Sequence, residues 1–483
     1  MPFLQRSLFL LSCVSSLGLS VANSAVARET IVTGSAGTGY DFRERTYKQE
    51  QADNEDEGDA HKINIGPTVT VASRGAYDTF NLRYAPQLSY DFVDDDNEVN
   101  QQLNVSDERY LSKHWSLTLS DDFRYSDDPE SSSDTYGTTA TTGDDGQTDG
   151  VSRDVLSNDL SGRQYWTNTA GVRTSYALLE KTTLGGGYNY TVLRNEGGGD
   201  EDGDTYDEYD KHAFFTNLSH GFNANWRSSL GLNYTRGLYD DEETVSGSSA
   251  AGSTPDLDEY GGNVGVDYIL SQRDFFPVKY SLSETQYDGD TRRDTQAHEW
   301  SAGWDHAFDQ QTRVTVGGGP SYVKTQGLDG TWGYNAYLTF MKQYEHLTYS
   351  LQLDKRYETQ NFSGTDESGL TDTYNASANL AYQYTEALGL NLFGKYTRES
   401  QIDPQGDYRD AVTGVLVEST TGDITYDKDI YQAGLGLKYD FARWYTAGVK
   451  YVYYVSDGQL DSDQYTDHRV LFTLSASKEL WRW

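Results

Sequence analysis

Thr79-Phe80-Asn81-Leu82-Arg83-Tyr84-Ala85-Pro86-Gln87-Leu88-Ser89-Tyr90-Asp91-Phe92 puts an aromatic, Leu or Pro at every even position and mostly polar residues between them. A period of two is the signature of a strand with one apolar and one polar face. One such strand fits a soluble sandwich as well as a membrane barrel, so the number of repeats decides the fold. Between Val32 and Leu480 the pattern recurs about twenty times, in segments of roughly ten residues each, as transmembrane β-strands require.

The connections alternate in length. Short ones fall near Arg74-Gly75-Ala76, Lys113-His114, Glu180-Lys181, Asn223-Ala224-Asn225, Gln272-Arg273, Asp309-Gln310-Gln311, Gln343-Tyr344, Glu386-Ala387 and Ala442-Arg443. Between them lie longer, mostly acidic segments: 47–60, 94–98, 126–159, 195–210, 240–258, 288–294, 326–330, 359–372, 400–428 and 456–467. Bacterial outer-membrane barrels have short periplasmic turns and long extracellular loops. The expected fold is therefore all-β: a single transmembrane antiparallel β-barrel of about 20 strands (18–20). The least regular segments are Val32 to Arg43 and Val99 to Arg109.

Composition agrees. Only 36% of the 483 residues are hydrophobic, yet 13% are aromatic, with 39 Tyr, which suits a single-layer wall better than a packed interior. Mean hydropathy is −0.73. No apolar run long enough for a helical span follows the first residues. Residues 1–27 read as a secretory signal peptide, with Arg6 as a basic start, an apolar run from Ser7 to Val21 and a small-x-small site at Ala25-Val26-Ala27. Residues 28–483 then form the barrel. The only cysteine, Cys13, lies in the first segment, so disulfides, thiol catalysis and cysteine-based metal sites are excluded from the rest. The net charge of −37 repels nucleic acid.

Trp115, Trp226 and Trp444 each follow a short turn and fit an inner aromatic girdle; Tyr125, Tyr190, Tyr234 and Tyr357, near loop ends, fit an outer one. The last strand alternates through Val470, Phe472, Leu474 and Ala476, but Trp481 and Trp483 have the opposite parity. A bulge or a short tail accounts for that. Such a terminal strand looks like the signal read by the barrel-assembly machinery.

Two stretches, Ile65-Gly66-Pro67-Thr68-Val69-Thr70-Val71 and Leu82 to Tyr90, followed by Leu117 to Pro129, resemble the opening of the β-barrel porin type 2 family. They are also similar to outer-membrane barrels associated with exosortase and exopolysaccharide loci. The resemblance covers about residues 30 to 130 and brings no catalytic residues with it.

Candidate sites lie on two surfaces. Parity opposite to the apolar residues selects lumen basic residues: Arg83, Arg124, Arg173, Lys279, Arg313, Arg356, Lys395, Lys450 and Arg469 are the pore-lining candidates, with Arg43, Lys62, Arg227 and Lys438 beside them. Acids on the same face are Asp41, Asp91, Asp122, Asp267, Glu299, Asp305, Asp354, Glu399 and Asp440, a basic excess of four. In the loops, Asp200, Asp202, Asp204 and Glu208 place carboxylates at nearly alternate positions, a weak metal candidate that lacks the glycine and bidentate glutamate of a calcium loop. His212, His220, His298 and His306 share the lipid-facing parity, and no Ser or Asp partner for them stands out in the sequence. Gly185-Gly186-Gly187 and Gly317-Gly318-Gly319 lack the Lys-Ser/Thr of a phosphate loop and read as strand glycines that admit close packing.

The expected function is a channel of the cell outer membrane, porin-like, passing or exporting polar or anionic solutes or exopolysaccharide. It needs no enzyme chemistry and no cofactor. One long loop, 126–159 or 400–428, is expected to fold inward and narrow the pore. Expected partners are the lipid bilayer, lipopolysaccharide and the assembly machinery. The rival class is a structural or adhesive barrel whose acidic loops bind divalent cations, lipopolysaccharide or a surface partner.

Overall fold

The structure, a computed structural model, describes residues 28–48, 59–93, 95–126, 164–196, 208–239, 255–288, 292–359, 361–362, 369–402, 408–409, 416–417, 427–458 and 464–483. The expected signal peptide and most of loops 126–159 and 400–428 lie outside the described residues.

The strands, in chain order, are β1 (Glu29–Tyr47), β2 (Ala60–Arg74), β3 (Asp78–Asp91), β4 (Asp96–Ser112), β5 (Trp115–Ser126), β6 (Gln164–Leu179), β7 (Thr182–Glu196), β8 (Tyr209–Gly221), β9 (Trp226–Tyr239), β10 (Leu257–Ile269) and β11 (Asp274–Tyr287). They continue with β12 (Thr295–Ala307), β13 (Thr312–Thr325), β14 (Thr331–Gln343), β15 (Leu347–Thr359), β16 (Leu370–Gln383) and β17 (Leu388–Gln401). A two-residue pair, β18 (Tyr408–Arg409) and β19 (Leu416–Val417), forms a separate two-stranded sheet. The wall ends with β20 (Asp427–Phe441), β21 (Tyr445–Gly458) and β22 (Tyr465–Arg482).

Every wall strand pairs antiparallel with its sequence neighbours, and β1 pairs with β22, so one 20-stranded sheet closes on itself and has no free edge pair. The nine short turns sit where alternation breaks in the sequence. At the β12–β13 turn the Asp309 carboxylate accepts from the Gln311 backbone N–H (2.7 Å) and the Thr312 hydroxyl (3.1 Å). These donors, Gln311 foremost, hold its carboxyl below the usual range.

Interior prolines leave local marks. Pro67 and Pro86, opposite each other, interrupt the β2–β3 ladder, and Pro277 and Pro320 interrupt the β11–β12 and β12–β13 ladders, because proline has no N–H to give. At the seam, the β1–β22 register shifts between Val32 and Thr33: Thr33 faces Glu479 while Val32 faces Trp481, and Leu480 is the extra residue. The terminal irregularity is therefore a β-bulge, and it turns Trp481 onto the same face as Phe472 and Leu474.

Candidate pore lining

Which face is inside follows from one contact. Asn361 and Phe362, which follow β15, touch β8 to β11: Tyr209 donates to the Phe362 carbonyl (3.3 Å), Tyr239 donates to the Asn361 carbonyl, and Tyr287 donates to Asn361 Oδ1 (2.6 Å). A segment from β15 reaches strands that far round the wall only through the interior. Odd residues of β8 to β11 therefore face the lumen, and the pair registers carry the assignment to every other strand. The opposite face carries the apolar set, with Ile65, Leu88, Val264, Val278, Leu392 and Phe472 among its exposed residues.

By that register all nine pore-lining candidates lie on the lumen side. Their surroundings differ. Arg469 Nε is 2.8 Å from Asp41 in a buried pair beside the seam, and Arg313 Nε is 2.9 Å from Asp305. Arg356 pairs with Glu358 and lies 3.8 Å from Asp354. Arg83 donates to Gln102 (2.7 Å), whereas Arg173 and Lys450 each lie 5.4 Å from a lumen phenylalanine ring, Phe215 and Phe393. Arg124 stands two positions from Asp122, Lys279 is exposed, and Lys395 faces Ser377 and Gln432.

The register changes the charge balance of the wall. It adds five basic residues, Arg45, Arg74, Lys211, Lys428 and Arg482, and eight acidic ones, Glu29, Asp96, Glu98, Glu108, Glu259, Glu358, Asp467 and Glu479. The basic excess of four falls to one. Most of the added residues sit at strand ends, where alternation fades into loop sequence and parity is hard to read. The charges also sort by depth. Arg83, Arg173, Lys279, Lys395 and Lys450 each lie within two residues of their strand's midpoint, against Asp122, Glu299 and Asp354. Those three acids are engaged locally: Asp122 accepts from Asn104, Glu299 from Ser321 (3.4 Å), and Asp354 from Asn375 (3.2 Å).

Glycine makes room for lumen side chains. A Cβ on Gly187 would meet the Phe215 ring at 2.5 Å, and one on Gly317 would meet the Tyr337 ring at 2.5 Å. The two glycine triplets are packing positions in β7 and β13.

The loop end of the lumen holds a cluster that parity reading missed. Tyr165, Leu193, Tyr209, Tyr239, Leu257 and Tyr287 bury Phe362, itself 2% exposed, while Lys211 Nζ lies 4.1 Å from its ring centroid. Asn361 Nδ2 donates to Glu259 (2.7 Å). These residues are apolar at water-facing parity, which was the available signal. Nearby, Leu370 packs on Ala297 and Val323, and Tyr357 joins that cluster instead of an outer girdle. The contact that reaches β8 to β11 comes from the β15–β16 connection; from loop 400–428, Ile402 packs against the Leu370 cluster, and of loop 126–159 only Ser126 is among the described residues.

Three other candidates need placing. Asp200, Asp202 and Asp204 lie outside the described residues, while Glu208 accepts from the Asn195 N–H (2.7 Å). No cluster of three metal-ligating side chains occurs among the described residues. His306 does have a carboxylate partner, Asp274, at 2.6 Å, which the two residues' distance along the chain concealed. Ser271 hydrogen-bonds the same carboxylate (2.9 Å) and not the imidazole, so no nucleophile–base pair is formed at His306, while His220 Nδ1 lies 2.7 Å from the Thr182 hydroxyl. His212 and His298 bond Tyr188 and Tyr280 on the outer face.

No family model matches the chain, and no curated protein does. Among solved structures it is similar to the siderophore receptor PirA of Acinetobacter baumannii, at 9% identity and a TM-score of 0.51 over 94% of this chain and 81% of that one. It is also similar to a variant of the ferric enterobactin receptor PfeA of Pseudomonas aeruginosa, at 11% identity and a TM-score of 0.51 over 93% and 81% of the two chains. Pseudomonas aeruginosa OpdQ aligns over 93% of this chain and 99% of its own, at 11% identity and a TM-score of 0.40. At these identities the likeness to the two receptors is one of fold: this chain has the closed antiparallel barrel of outer-membrane proteins.

Proposed function

We propose that the chain is an outer-membrane channel for polar solutes that favours anions, acidic exopolysaccharide among them, and that it performs no catalytic step. The β-barrel porin type 2 resemblance and the barrel fold support the general reading. The band of Arg83, Arg173, Lys279, Lys395 and Lys450 at mid-strand carries the specific one. Strands of one barrel share a tilt, so residues near the strand midpoints share a depth, and a ring of Lys and Arg favours anionic solutes. The wall as a whole is nearly balanced, so selectivity rests on this band.

A covered mouth favours the rival, a structural barrel whose acidic loops hold cations or lipopolysaccharide, because Phe362 and β15 fold over part of the lumen. Planar-bilayer recording separates the two. Open-channel current with a reversal potential favouring chloride in a KCl gradient is expected, and replacing Lys279, Lys395 and Lys450 together by Gln should shift that potential toward zero. A cation-selective parent would defeat the basic-band reading, and a protein that passes no current under any condition would leave the structural barrel.

A further inference from the structure

The β14–β15 ladder stops early. Its pairs run from Gln343↔Thr348 up to Ala336↔Lys355, although β14 continues to Thr331 and β15 to Thr359. Above that point Thr331–Val323 pairing ties β14 to β13, and Tyr357↔Asp372 pairing ties β15 to β16, but the two strands part from each other. The upper end of β15 lies on the lumen side: the Tyr357 hydroxyl occupies the space where a side chain on Gly333 would be, and Glu299 of β12 accepts a hydrogen bond from the Tyr357 backbone. Beyond it, Asn361 and Phe362 are held by Tyr209, Tyr239, Tyr287 and Glu259.

Few residues connect these features. Phe362 is three positions past Thr359, and three extended residues reach only about 11 Å. Seating Phe362 against β8 to β11 therefore requires β15 to lean inward, which in turn requires the seam above Ala336↔Lys355 to open. Extending the same register would instead pair Asn335 with Arg356, Tyr334 with Tyr357, Gly333 with Glu358 and Trp332 with Thr359. It would also place Tyr357 opposite Tyr334 on the outer face, where the sequence pattern puts it.

We propose that the upper β14–β15 seam and the Asn361–Phe362 tip form a two-state latch on the channel mouth: seated and unzipped when closed, released and zipped when open. The two arrangements exclude each other, and each satisfies the backbone groups or the side chains that the other leaves. This inference rests on the channel reading for its effect on current, though not for its geometry.

Paired cysteines test it. Gly237→Cys with Phe362→Cys captures the seated state, since a Cβ on Gly237 lies 2.7 Å from the Phe362 ring. Trp332→Cys with Thr359→Cys captures the zipped state. Oxidising the first pair should cut single-channel conductance several-fold, reversibly with reductant in the same preparation. Oxidising the second should hold it several-fold above the reduced form, and Phe362→Ala should raise the yield of the second cross-link several-fold.

Failure of a short bis-thiosulfonate reagent to bridge Asn361→Cys and Glu259→Cys, a pair that keeps the Phe362 ring and replaces side chains that meet at 2.7 Å, overturns the seat. Equal conductance in oxidised and reduced forms of both pairs, in a protein that conducts, overturns the latch and leaves the channel standing. If nothing conducts, the channel reading falls, and the cross-link yields still decide: no gain of the Trp332/Thr359 bond in the Phe362→Ala background overturns the two-state seam.

Discussion

At the scale of single residues, facing decides the cost of a change. Leu351 pairs with Phe340 and Ala378 on the apolar outer face, near the middle of β15, while its neighbour Ser350 faces the lumen. Leu351→Arg is expected to cost about 2–4 kcal/mol in a lipid-reconstituted unfolding titration, as basic residues do at the midplane of a barrel's lipid face. Ser350→Arg should cost far less, and equal losses at the two positions would refute the facing assignment. A second test uses packing. Gly187→Val would drive a side chain into the Phe215 ring and the Val172 carbonyl, so it should lower stability by about 1–3 kcal/mol as an overpacking change. Gly327, whose added Cβ would meet nothing within 4 Å, is the spatial contrast, although its φ of 81° sets its own backbone cost.

At the scale of elements, the closing seam exposes the barrel's stability to single substitutions through two buried ion pairs. Arg45 bonds Asp467 through Nε (2.7 Å) and Nη2 (2.8 Å), and Arg469 bonds Asp41, joining β1 to β22 inside the wall. Both pairs are buried, with side-chain exposures of 1% and 3% for the first. Asp467→Ala should cost about 3–5 kcal/mol because it leaves a buried guanidinium without its partner, and replacing both members by apolar residues should recover much of that loss. Denaturant midpoints of the single and double variants check this; equal losses would place the effect elsewhere. These elements were legible in the sequence to different degrees. All nine turns and the ten long connections could be located because alternation breaks visibly at Gly75, Asn223 or Asp309. The bulge at Leu480 was half legible: the parity conflict of Trp481 with Phe472 showed, but not its resolution. The inward lean of β15 was not legible, because its causes are contacts such as Tyr209 to Phe362, separated by 153 positions, and no local pattern encodes a partner that distant. What the sequence did contain was a set of violations: Tyr165, Leu193, Tyr209, Leu257 and Tyr287 are apolar or aromatic where the lumen parity calls for polar residues.

At the scale of the molecule, two opposed charge distributions compete, and ionic strength decides between them. The chain is −37 overall, with carboxylates concentrated in the long connections, while the mid-strand band is basic. At 0.15 M salt the field of the loops decays over about 8 Å, so a permeating ion meets the band without sensing most of the loop charge. At 0.01 M that length grows to about 30 Å, and the acidic loops then repel anions from the mouth before they reach the band. The anion-to-cation permeability ratio should therefore be higher at 0.15 M than at 0.01 M, the reverse of what screening a single basic ring would produce. Shortening the acidic loop 195–210 should raise the low-salt ratio and leave the ratio at 0.15 M almost unchanged. A ratio that falls steadily as salt rises would mean that the loops do not face the entry path, and the band alone would then set selectivity.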